Sequence, residues 1–179
     1  MVNAGRLTIP VLLPIVADLM TRANSGDDTS STIIRRARKS DLPRLQELYR
    51  QLDGNRDLSS RVSKAKLAAA FDQIALDRHH EILVAEAEGK IVGTCDVIIV
   101  PHLGHALKPF AVVENVVVDA KVRSAGIGRR LVQAASDLAR RRGCYKMSLT
   151  SNVARRRAHE FYERLGWQRT HLGYTLGLE

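Results

Sequence analysis

The chain has 179 residues, 45% of them hydrophobic and 26% charged. That length and balance suit one globular domain with a tail, and exclude a disordered chain, a collagen-like repeat and a coiled-coil rod. Lys and Arg total 28 against 19 Asp and Glu, a formal charge of +9, which favours anionic partners such as phosphates and says nothing of fold. Aromatic residues make up only 4%. That is too few for a platform stacking several bases, so no nucleic-acid partner is expected.

Residues 7–20, LTIPVLLPIVADLM, are apolar but fall short of the about 20 residues that span a bilayer, and Pro10, Pro14 and Asp18 interrupt them. Residues 24–32, NSGDDTSST, have the polarity of a linker. Residues 1–31 are therefore expected to form a flexible N-terminal extension to a domain over 32–179, with no membrane partner. Cys95 and Cys144 stand in apolar runs, in no Cys-x-x-Cys pair. They read as buried small side chains in a reducing, cytoplasmic setting.

Residues 33–37, IIRRA, suit a short first strand. Ser40 or Asp41 then offers an N-cap and Pro43 a first-turn residue for a helix. Its Leu42, Leu45, Leu48, Tyr49 and Leu52 recur at helical spacing, and Gly54 and Asn55 break it. A second helix is expected over 64–76, with Leu67, Ala70, Phe71 and Ile74 on one face. Residues 82–87 and 91–100, joined by Glu88-Gly89, read as a β-hairpin. Residues 101–109 form a loop carrying His102 and His105. Residues 111–118, AVVENVVV, read as a strand covered on both faces, interrupted by Glu114 and Asn115. A carboxylate in such a strand is costly unless it has a partner or a task.

Gly126 and Gly128 open a helix expected to run to Arg142, with Ile127, Leu131, Ala134, Ala135 and Leu138 inward and Gly143 as its stop. A strand over 144–150, a helix over 155–165 ended by Gly166, and one or two closing strands over 167–178 complete the order. The sum is an α/β (α+β) sandwich around a mixed, mostly antiparallel sheet.

The strongest chemical signal is Arg123-x-x-Gly126-x-Gly128 between the strand and the helix. A helix amino end exposes unpaired N–H groups and about half a positive charge. Glycines let a ligand approach the backbone, and Arg123, Arg129 and Arg130 add charge. The segment reads as a diphosphate cradle, with a plain strand-to-helix turn as the competing reading. A dinucleotide fingerprint fails at Leu131, where a third Gly is needed, and a Walker loop fails for want of Gly-Lys-Ser/Thr.

VVENVVVDAKVRSAGIGRRL, followed by GCYKMSLTSN and AHEFYERLGW, resembles the GNAT superfamily of acyl-CoA N-acyltransferases. The resemblance covers roughly residues 33–178. Its most specific marks are the Arg-x-x-Gly-x-Gly run and Phe161, Tyr162, Gly166 and Trp167; Ser124 stands where the family has Gly or another small residue. It implies a GNAT-like three-layer sandwich, acetyl-CoA as co-substrate and no metal. It also implies a diphosphate held on the amides of Arg123, Ser124, Ala125, Gly126, Ile127, Gly128 and Arg129. The pantetheine arm would then lie along Val116, Val117 and Val118, with Asn152 bonding it or fixing the neighbouring helix; an ordinary turn Asn is the other reading.

The chemistry makes its own demands. A primary amine is cationic at neutral pH, with roughly one molecule in two thousand carrying a free lone pair. A base helps, and Glu114 is the candidate; the other reading pairs Glu114 with an arginine and leaves it to orient substrate. Backbone N–H groups near Val116–Val118 could hold the oxyanion. By resemblance Tyr162 protonates the leaving thiolate; the alternative is a core Tyr on the face of Ala158, Phe161 and Leu165. Cys144 has no adjoining base and is a poor nucleophile, so transfer should be direct in a ternary complex. His102 and His105 lack a third ligand nearby and read as surface residues or substrate contacts.

Within the superfamily, TSNVARRRAHEFYERLGWQRTHLGYTL is similar to the end of aminoalkylphosphonate N-acetyltransferases, and VENVVVD with GCYKMSL to glucosamine 6-phosphate N-acetyltransferases. Both groups act on small amines bearing an anionic group. The expectation is an N-acetyltransferase domain over 32–179 that acetylates the primary amine of a small, anionic molecule. A protein lysine or N-terminal acetyltransferase and a non-catalytic acetyl-CoA sensor stay open. A homodimer is in keeping with the resemblance.

Overall fold

The computed structural model describes residues 32–54, 62–123 and 126–178. The expected extension over 1–31, the helix breaker Asn55 and two cradle residues, Ser124 and Ala125, lie outside the described residues. Strands β1 (Ile33–Arg36), β2 (His80–Ala87), β3 (Lys90–Val100) and β4 (Phe110–Val118) are antiparallel neighbours. Strand β5 (Met147–Ser148) runs parallel to β4 and completes a sheet of order β1-β2-β3-β4-β5. Helices α1 (Leu42–Leu52) and α2 (Lys64–Leu76) fall between β1 and β2, α3 (Ile127–Arg141) crosses from β4 to β5, and α4 (Arg156–Arg164) follows. The architecture is the expected mixed, mostly antiparallel α/β one. Among the described residues no helix is long and apolar enough to cross a membrane.

Strand alternation divides the sheet between two cores. Leu83, Ala85, Cys95 and Val97 pack beneath Leu131, Ala135 and Leu138 of α3. Val84, Ile91 and Val117 turn the other way, onto Leu45 and Leu48 of α1. Glu88 and Gly89 both take positive φ, 50° and 71°, which suits the two-residue turn between β2 and β3. Ser63 accepts from the N–H of Lys66 and starts α2 where the spacing placed it.

Four expectations are corrected. The strand enclosed on both faces is β3, buried from Ile91 to Val97, because it lies at the sheet centre; β4 alternates. Asp41 makes no cap bond to α1. Its buried carboxylate instead accepts from Arg35 at 2.7 and 3.0 Å and from the N–H of Arg38 at 2.7 Å. The strand expected over 144–150 shrinks to the two residues of β5. Residues 168–178 form no strand, and Leu172, Tyr174, Leu176 and Leu178 are 82–91% exposed. A two-residue β5 is too short an edge to template them.

At Gly93, α3 lies close against the sheet. A Cβ there would stand 3.0 Å from both the carbonyl oxygen of Val117 and Cδ1 of Leu131. Gly93→Ala is expected to lower stability by about 1–3 kcal/mol, seen as a lower urea midpoint at unchanged m-value. An unchanged midpoint would mean that α3 does not press on β3 there.

Candidate functional site

β5 pairs only with Ala111 and Val112 of β4. Beyond them, β4 has no ladder partner on that side among the described residues. Its register against β3 slips at the same place. Asp96 faces Glu114 and Thr94 faces Val117, so Asn115 and Val116 together oppose Cys95. Asn115 takes φ 54°, a left-handed conformation that Asn tolerates better than most residues with a Cβ. This is a β-bulge, and a bulge bends its strand and ends regular pairing. Val117 turns inward to α1, while Val116 and Val118 are half-buried against the α3 core.

Helix α1 clamps the end of β4. Arg44 donates to the carbonyl of Ile91 at 2.9 Å and pairs with buried Asp119. Asp119 accepts from the N–H of Lys121 at 3.0 Å, and the side chain of Gln51 accepts from the N–H of Ala120 at 3.0 Å. The loop into α3 is thereby held at its start. None of these partners is legible in sequence, since the contacts join residues far apart in the chain.

Gly126 is the N-cap of α3, at φ 72° and with no side-chain cap bond. The N–H of Arg130 bonds back to the carbonyl of Gly126 at 3.1 Å, which leaves the amides of Ile127, Gly128 and Arg129 without intrahelical acceptors. A Cβ on Gly126 would meet nothing within 4 Å, so the space before it is open. At Gly128 a Cβ would stand 3.3 Å from the Phe161 ring; α4 packs directly on the second glycine. Arg123 Nε lies 3.4 Å from the carbonyl of Val118, and Arg129 is exposed. Arg130 departs from expectation, because its guanidinium donates to the carbonyl of Thr32 at 2.5 Å, just ahead of β1.

Helix α4 closes the other side. Tyr162 meets Phe161 edge-on at 5.1 Å between ring centroids and Trp167 at 5.8 Å. Burial pushes its hydroxyl up to about 12, with Cys95 and Glu114 adding to the rise, so the phenol keeps its proton at neutral pH. Glu114 is half-buried. Burial first, and the charge of Asp96 second, raise its carboxyl above the ordinary value. No arginine pairs with it among the described residues. Asn152 is exposed and shapes the turn into α4: its Oδ1 accepts from the N–H of Ala154 at 2.9 Å, and its carbonyl from the N–H of Arg155 at 2.9 Å. Arg155 donates to the carbonyl of Leu52 at 2.8 Å and ties α4 to α1.

Sequence reasoning missed Asp96, which is 5% exposed beside Glu114. A carboxylate in the apolar run GTCDVII carries the same signal as Glu114. Burial pushes the Cys95 thiol up to about 12 and raises that of Cys144, so neither is a thiolate at neutral pH. His105 stacks on Tyr145 at 4.2 Å, and its ring lies 5.6 Å from that of His102. No group of three or more metal-ligating side chains occurs among the described residues.

Comparison with known proteins bears on the same elements. Residues 34–167 match the family model described as Acetyltransferase (GNAT) family. The chain is 32% identical over 88 residues to glucosamine 6-phosphate N-acetyltransferase of Trypanosoma brucei brucei, covering 49% of this chain and 58% of that protein. It is 32% identical over 103 residues to aminoalkylphosphonate N-acetyltransferase of Salmonella typhimurium, covering 58% of this chain and 66% of that one. It thus spans less than two thirds of the length of either relative. The crystal structure of glucosamine-6-phosphate N-acetyltransferase from Arabidopsis thaliana matches with a TM-score of 0.73 at 27% identity, over 84% of this chain and 100% of that one. The family match runs from β1 to the end of α4, through every element that opens the edge of β4, and the chain belongs to the acetyltransferase (GNAT) family.

Proposed function

We propose that the protein moves an acetyl group from acetyl-CoA to the primary amine of a small, anionic molecule, by direct attack in a ternary complex. One observation carries this reading: the open edge of β4 runs into the uncapped amino end of α3, with Glu114 and Tyr162 beside it. The residues present fit the coenzyme. An extended amide arm can pair with Val116, Val117 and Val118 as an added strand would. A diphosphate suits the free amides of Ile127, Gly128 and Arg129, with Gly126 and Arg123 beside them. Asn152 fixes the start of α4, and its role toward the arm is assigned from the resemblance. The free thiols are in keeping with a reducing cytoplasm.

Acetyl-CoA supplies the activated acyl group; the chain supplies position and protons. Withholding the lone pair of an ammonium costs about 4.6 kcal/mol at neutral pH. Glu114, with its raised carboxyl, accepts that proton directly or through a water. Nitrogen then bonds to the thioester carbon, and N–H groups along β4 stabilise the oxygen that gains charge. The carbon–sulfur bond breaks, the sulfur takes a proton from Tyr162, and the second proton shed by the nitrogen as it becomes an amide returns to the Tyr162 phenolate. The anionic acceptor is supported by the charge of +9 and by relatives named for a sugar phosphate and a phosphonate.

Amine-dependent release of free thiol from acetyl-CoA, over a panel of aminophosphonates, amino sugar phosphates, polyamines and aminoglycosides, tests the reading. Release with the anionic amines supports it, and silence across the panel contradicts it. Tyr162→Phe should lower turnover about a hundredfold with acetyl-CoA affinity nearly unchanged; unaltered turnover would remove the assigned role. Gly126→Val should abolish coenzyme binding, because a β-branched residue resists φ 72° and blocks the approach; calorimetric titration reads it, and normal affinity would contradict the cradle. Glu114→Gln should lose most rate just above the acid limb of the wild-type profile, where Glu114 is ionised and the amine is still protonated, and the deficit should shrink as pH nears the amine's own pKa. A deficit independent of pH would make Glu114 an orienting residue instead.

A further inference from the structure

The mechanism leaves one charged group at the bulge unused. Asp96 is the cross-strand partner of Glu114 and is buried. Its Oδ2 accepts from Asn115 Nδ2 at 2.9 Å, and its Oδ1 lies 3.4 Å from the hydroxyl of Tyr49 on α1. Nε2 of His80, on β2, stands 3.5 Å from Oδ2, within ion-pair range. No Lys or Arg pairs with Asp96 among the described residues. A buried carboxylate so placed is expensive to keep. Asn115 is its counterpart: an exposed residue held at φ 54° in mid-strand, whose side chain reaches across to β3 for its partner.

We propose that Asp96 is a positioning residue of this site: it pins Asn115 in the left-handed conformation that opens β4, and it sets a second carboxylate across the ladder from Glu114. The inference rests on the reading of β4 and Glu114 given above. One side chain thus has a mechanical and an electrostatic effect. Without the bond to Asn115, the bulge relies on a conformation disfavoured for a residue with a Cβ, and the edge of β4 loses its fixed shape. The like charge of Asp96 opposes ionisation of Glu114. Facing this carboxylate pair are Tyr49 from α1 and His80 from β2, with Tyr162 of α4 near Glu114; Cys95, beside Asp96 on β3, turns into the α3 core on the opposite face of the sheet. Only His80 gains positive charge as pH falls. Asp96 raises its pKa, so a cation arrives beside Asp96 and weakens its push on Glu114.

The test uses the full chain with acetyl-CoA as ligand and two readouts. Hydrogen exchange of the 113–118 backbone, measured without coenzyme, reports the bulge itself. Asp96→Ala should speed that exchange and weaken acetyl-CoA binding, each by about tenfold. Adding Asn115→Gly should restore both, since glycine takes positive φ unaided. Asp96→Asn keeps an acceptor oxygen for Asn115 and removes the charge. It should bind acetyl-CoA normally, and the acid limb of its kcat/KM profile should move to lower pH; His80→Gln should move that limb to higher pH. Unchanged exchange and affinity in Asp96→Ala, or no rescue by Asn115→Gly, would overturn the pinning. An unmoved acid limb in Asp96→Asn would overturn the electrostatic part. If Asp96→Ala does not fold, Asp96→Asn decides: exchange as in the wild type with a shifted limb supports the proposal, and an unshifted limb overturns it. A wild type that binds no acetyl-CoA would defeat the functional reading, while the exchange comparison still judges the bulge.

Discussion

Everything at the site depends on β4 and β5 parting after two paired residues. Backbone amides and carbonyls that lose a strand partner must find another or face water. In β4 they border a gap, and the gap ends at an α-helix whose first amides are likewise unspent. On the proposed reading, an extended ligand with a charged end satisfies both sets of main-chain groups. Side chains serve chiefly to hold the opening. Arg44, Gln51 and Asp119 fix the end of β4, Phe161 braces Gly128, and Asp96 reaches Asn115.

The electrostatics follow from the same gap. Glu114 and Tyr162 are each partly removed from water, and burial leads the shift of both groups. A carboxyl with a raised pKa accepts protons more readily, and a phenol with a raised pKa keeps its own. On the proposed reading, one half-buried environment thus prepares a base and an acid at once. The two thiols are driven towards their neutral forms, which agrees with attack by the amine directly on the thioester.

Much of this was legible in the sequence, where local rules apply. The spacing of Leu67, Ala70, Phe71 and Ile74 set α2; Glu88-Gly89 set the hairpin; Gly126 and Gly143, both at positive φ, set the ends of α3. Glu114 stands out as a carboxylate among valines, whereas Asn115 reads only as an interruption of the strand. Its role as a bulge depends on register with β3, and register is a property of two strands, not one. Arg130 and Asp41 depart from their local readings for a related reason: tertiary partners, Thr32 and Arg35, prevail over the local ones. The alternation of Leu172, Tyr174, Leu176 and Leu178 spells a strand, but a strand also needs an edge to pair with, and β5 offers two residues.

A crystal structure with acetyl-CoA tests the central claim most directly. The account predicts the diphosphate within hydrogen-bonding distance of the amides of residues 127–129, with the pantetheine amides paired to the backbone of β4 beyond the bulge. A coenzyme bound elsewhere, with that edge still unpaired and the start of α3 unengaged, would contradict it.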